Sequence, residues 1–168
     1  MVPPRLQQVI DTLGIDIQYE DLHSQNPNYD GYACPAQKLI VLDISIRGTR
    51  QELCVLSEET GHHVEQPGLH QKIYHSKEFW KLDHLMRGNV WALCAKDERR
   101  AVRWGTGIVI PDREFWDFAA TGPHLMWEWC EHFGVEGWFM AAKMGYIRVR
   151  EHELRRRVPR MREFILRL

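Results

Sequence analysis

The chain has 168 residues, 44% hydrophobic and 27% charged, with a formal net charge of −1. That length suits one domain with a proper core, and the balanced charge excludes a chain-wide preference for nucleic acid or membrane surfaces. No apolar run approaches the roughly 20 residues of a membrane span, no secretory leader is evident, and Cys34, Cys54, Cys94 and Cys130 are scattered without a C-x-x-C pair; a reduced, cytoplasmic protein is expected.

In chain order, Leu6, Val9, Ile10 and Leu13 recur at helical spacing and Gly14 supplies a stop. Ile15 to Tyr19 reads as a strand, residues 26–31 as a turn-rich connection, and Leu39 to Ile46 as a second strand. Thr49-Arg50-Gln51-Glu52 has the form of a capping box. It opens a helix that Gln66-Pro67-Gly68 would close. A long stretch from Gly68 to Lys96 precedes another helix that ends at Pro111. Asp112 suits an N-cap for a helix through Ala120. Two further helices, His124 to Phe133 and Glu136 to Tyr146, flank Gly134-Val135 with the rhythm of a helix-turn-helix hairpin. The expected fold is α+β: a small N-terminal sheet, a metal-binding helix and a C-terminal helical bundle.

Within the capped helix stands Glu58-Glu59-Thr60-Gly61-His62-His63. It has the form of H-E-x-x-H with the first histidine replaced by glutamate. Residues four apart lie one above the other, so Glu58 and His62 can share an ion. Glu59 is rotated by about 100° and is suited to act as a general base. Leu53, Leu56, Thr60 and Val64 form the core-facing stripe. Glu59 and His63 are also four apart, so a one-step shift would make them the ligand pair, and the bland alternative is a solvated charge run.

Read together, several segments resemble the ImmA/IrrE family of metallo-endopeptidases. They are Gly31-Tyr32, Leu39-Ile40-Val41-Leu42, Leu56 to His63, Glu98-Arg99-Arg100-Ala101 with Trp104-Gly105, and Val109-Ile110-Pro111. The Glu-Glu form is similar to a variant branch of that family. The resemblance implies a zincin-like helix, a metal held by Glu58, His62 and Glu98, and Glu59 as the catalytic base. It also implies a protein substrate, commonly a helix-turn-helix repressor of a phage or mobile element. The spacing supports Glu98: Ala101 and Gly105 follow at i+3 and i+7, and small residues let two helices approach closely. The stretch from Gly68 to Lys96 is longer than the resemblance leads one to expect; it would be a lid or a packed extra helix, and its histidines are possible replacement ligands.

Zinc is the expected cofactor, with manganese as an alternative. Two carboxylates in the ligand set leave it neutral, which should slow the enzyme and suit harder ions. The rival reading is a non-catalytic regulator of the same fold that binds a partner repressor or DNA. The apolar run Gly137 to Met144 argues against DNA reading by the hairpin, since it offers almost no base-reading side chains. Beyond a catalytic unit spanning 1–147, residues 148–168 form an arginine-rich segment interleaved with apolar residues, which is a terminal helix or a contact for nucleic acid.

Overall fold

The structure is a computed structural model that describes residues 2–65 and 81–157. It is a mixed α+β fold: a three-stranded sheet and, among the described residues, six α-helices.

Helix α1 (Pro4–Leu13) starts with proline in its first turn, where a missing N–H costs nothing. It ends on Gly14, whose φ of 65° lies in the left-handed region. Leu6 and Ile10, one turn apart, are buried. Strands β1 (Asp16–Glu20), β2 (Gly31–Cys34) and β3 (Leu39–Asp43) follow. The sheet order is β1-β3-β2. β3 pairs parallel to β1, with Ile40 opposite Ile17, and antiparallel to β2, with Val41 opposite Tyr32. A central strand is covered on both faces, which is why Ile40, Val41 and Leu42 form an unbroken apolar run that is fully buried. β2 is left as an edge.

β3, expected to run from Leu39 to Ile46, stops at Asp43 because Asp43 turns the chain. Its buried carboxylate accepts hydrogen bonds from the Leu22, His23 and Ser45 backbone N–H groups at 2.7, 2.8 and 2.8 Å, and residues Ile44–Ile46 form a 3-10 turn. The Ser45 hydroxyl and these N–H groups hold its pKa down at about 2 against the opposing effect of burial. A depressed carboxyl stabilises the fold fully above the range where the unfolded group titrates, about pH 4, and loses that contribution as pH falls toward about 2. Acid unfolding followed by circular dichroism should show this component in the wild type, and Asp43→Asn should lack it.

Helix α2 (Arg50–Glu65) is entered through half of the expected capping box: Thr49 Oγ1 accepts from the Glu52 N–H at 3.3 Å, while the Glu52 carboxylate accepts from the Gly48 N–H at 2.6 Å and the Thr49 N–H donates to the Ile46 carbonyl. Leu53, Leu56 and Thr60 are buried as the stripe requires, whereas Val64 is exposed. Helix α3 (His84–Val109) is 26 residues long and is capped by Asp83, which accepts from the Met86 N–H at 2.8 Å. Residues 84–96 are therefore not a separate element but the first half of the helix that carries Glu98. Leu85 and Trp91 stand exposed on it. Residues 68–80 of the long stretch, with His70 and His75, lie outside the described residues.

Helix α4 (Asp112–Ala119) has Pro111, not Asp112, at its N-cap position. Asp112 is drawn instead into an ion pair: it accepts from the buried Lys143 Nζ at 2.6 Å and also from Arg150. Lys143 and Arg150 belong to helix α6 (Gly137–Arg157), which follows α5 (Met126–Phe133) after a left-handed Gly134. Val135, Phe139 and Met140 are fully buried, so the start of α6 is core. α6 runs unbroken across position 147; residues 158–168, with Pro159, lie outside the described residues. Trp129 packs in the core, stacked on Phe115 at 4.6 Å, while Trp91 and Trp127 are exposed, so the tryptophans serve both core and surface. No helix among the described residues is long and apolar enough to cross a membrane.

Candidate metal centre

Helices α2 and α3 cross where their side chains vanish. A Cβ on Gly61 would meet the Ala101 carbonyl oxygen at 2.6 Å, and one on Gly105 would meet the Ser57 carbonyl at 2.9 Å. The two backbones are in contact there, and Ala101 is fully buried. Glu98 lies one turn before Ala101 on α3, and Glu58 and His62 flank Gly61 on α2. The close crossing delivers all three to one place: each offers a ligand atom, and these atoms lie within 4.8 Å of one another. His62 Nε2 is 3.3 Å from Glu98 Oε2. The His62 side chain is 12% exposed and that of Glu98 50%, so the cluster opens to solvent on the α3 side.

The rival pair Glu59 and His63 lines the same cleft but lies outside the three-ligand cluster. His63 Nε2 is 3.3 Å from the Leu39 carbonyl of β3, and burial lowers its pKa.

The cleft has a volume of about 1030 Å³. Its floor is α2, through Gln51, Val55, Glu58, Glu59 and His62; one wall is Asp30 to Cys34 of the β2 edge. Gly31 permits this approach, since a Cβ there would meet Val55 Cγ1 and Leu42 Cδ2 at 2.9 Å.

The charges are crowded. Burial pushes the Glu58 carboxyl up to about 7; the neighbouring Glu98 adds to this and His62 opposes it. Burial pushes Glu59 up to about 8; Glu58 and Glu98 add, while His62 and the Ala33 backbone oppose. For His62, burial disfavours the imidazolium, but Glu98, Glu59 and Glu58 outweigh it and its pKa is raised. Burial, with repulsion between neighbouring carboxylates, favours protons on Glu58 and Glu59 that a cation would displace.

Residue types alone did not reveal what fixes the far end of the cleft. Gln51 Nε2 donates to Asp30 at 2.6 Å, the Trp138 indole N–H donates to Gln51 Oε1 at 2.9 Å, and Asp30 also pairs with His23 at 2.8 Å. These links join positions far apart in the chain, and no local pattern announces them. No family model matches the chain, and no curated protein or solved structure matches it either; the site stands on its own geometry.

Proposed function

We propose that this cleft is the active site of a metal-dependent endopeptidase of the ImmA/IrrE type. The observation that carries the reading is the convergence of Glu58, His62 and Glu98, with Glu59 beside them in the same cleft. The donor set fits a divalent cation. One imidazole and two carboxylates suit zinc and also manganese, and a bound cation would offset the burial and the carboxylate repulsion that raise Glu58 and Glu59. Glu58, His62 and Glu98 would hold the ion, which would supply Lewis acidity toward a peptide carbonyl and a water. Glu59 would accept the proton of the attacking water and hand it to the leaving amine. The free edge of β2 offers an extended peptide a wall to lie along.

The substrate in this reading is a protein, such as a helix-turn-helix repressor whose cleavage releases genes. Zinc or manganese added to metal-stripped protein should stabilise it by RT ln(1 + [L]/Kd), about 2.7 kcal/mol at a hundredfold excess over Kd, and so raise its melting temperature. His62→Ala should abolish most of that gain. The carboxylate-rich ligand set predicts turnover with manganese at least comparable to that with zinc. Metal analysis by mass spectrometry together with peptide cleavage under each ion tests both statements; fast turnover strictly confined to zinc would overturn the second.

A further inference from the structure

Among the described residues that line the cleft, Lys38 is the one with a permanent positive charge. Asp30, Glu58 and Glu98 of the cleft have other neighbours. Asp30 pairs with His23 and Gln51, and His62 lies against Glu98 in the metal cluster with Glu58. Lys38 forms no ion pair or side-chain hydrogen bond with another described residue; its Nζ hangs over Gly14, 3.8 Å from where a Cβ on that residue would sit.

Its backbone is held in a conformation that lysine adopts reluctantly. Lys38 has φ 52°, and among the described residues it is the one non-glycine position with positive φ. Its N–H donates to the Pro35 carbonyl at 3.2 Å, and its carbonyl accepts from the Asp16 N–H at 2.8 Å, so the root of the side chain is clamped between a 3-10 turn and β1. Glycine or asparagine would fit that backbone with less strain, and strained residues gather where the side chain has work to do at a site.

The register of α2 gives its place. Gln51 marks one end of the cleft through Asp30, and His63 marks the other through Leu39, the neighbour of Lys38. The helical rise between those two levels is about 18 Å, and Glu59 lies about 6 Å along the axis from the His63 level; Lys38 is one residue beyond Leu39, with its Nζ further out over Gly14. An extended peptide covers 6 Å in roughly two residues.

We propose that Lys38 selects peptides with an aspartate or glutamate on the His63 side of the bond to be cut, two or more residues away from it. This rests on the endopeptidase reading. The carboxylate of such a residue would meet the amine at the cleft end, with Glu59 level with the scissile bond.

A random-peptide phage library selected on the zinc-loaded Glu59→Gln chain tests this without cleavage. Acidic residues should be enriched about fivefold at one position, the size of a solvent-exposed charge pair. Lys38→Glu should replace them with lysine or arginine, and Lys38→Asn, which suits the left-handed backbone, should leave no charge preference. The selected peptides are then offered to the wild-type chain. Acidic enrichment that follows Lys38, with no peptide cut, upholds Lys38 as a selector of acidic peptides and removes the hydrolase reading together with the placement relative to a scissile bond. Absence of acidic enrichment, or enrichment that survives Lys38→Glu, overturns the Lys38 inference even if the peptides are cut.

Discussion

Glu59→Gln is expected to lower peptide hydrolysis by about 10²- to 10⁴-fold, the loss associated with removing a general base. The change is close to isosteric and leaves Glu58, His62 and Glu98 in place, so metal content should match the wild type. Folding should be unaffected as well: burial already pushes the Glu59 carboxyl up to about 8 in the metal-free chain, and a neutral amide stands in for a group that is mostly protonated at neutral pH. Metal analysis, thermal melts and cleavage on the same preparation separate these effects. A variant that loads metal, melts normally and still cuts would remove Glu59 from the mechanism. A variant that releases a target repressor as well as the wild type does would make the protein a binder and not a protease.

The second large effect concerns a glycine outside the chemistry. Gly61→Ala is expected to cost about 1–2 kcal/mol net, an overpacking penalty of about 2–3 kcal/mol less the roughly 1 kcal/mol gained in helix propensity. The added Cβ would lie 2.6 Å from a backbone oxygen of α3, which has no flexible end to swing aside. The helices must part, and parting them carries Glu98 away from His62, so the melting-temperature gain on adding zinc should shrink too. Gly107→Ala is the matched control on α3. A Cβ there meets nothing within 4 Å, and the substitution should stabilise by about 0.5–1 kcal/mol. Urea unfolding of both variants, with and without zinc, reads the two signs. A neutral Gly61→Ala would mean that the crossing yields easily and that close packing does not hold the centre together.

Much of this was legible in the linear chain. The cap at Thr49, the buried face through Leu53, Leu56 and Thr60, and the left-handed stop at Gly14 follow from local rules: spacing on a 3.6-residue turn and the freedom of glycine. The small residues Ala101 and Gly105 pointed to a close helix contact because only a missing side chain lets backbones touch. Local rules failed where a distant partner outbid them. Asp112 looks like a cap but is taken by Lys143 and Arg150, and β3 stops at Asp43 because that carboxylate gathers N–H groups from the loop after β1. The spacing also left two ligand registers open, since Glu58/His62 and Glu59/His63 are equivalent along one helix. Which pair meets Glu98, and which histidine turns to the Leu39 carbonyl, depends on the rotation of α2 against α3 and the sheet. A single helix carries no record of that rotation; it is set by Gly61 against Ala101 and Gly105 against Ser57, contacts that exist only once the chain has folded.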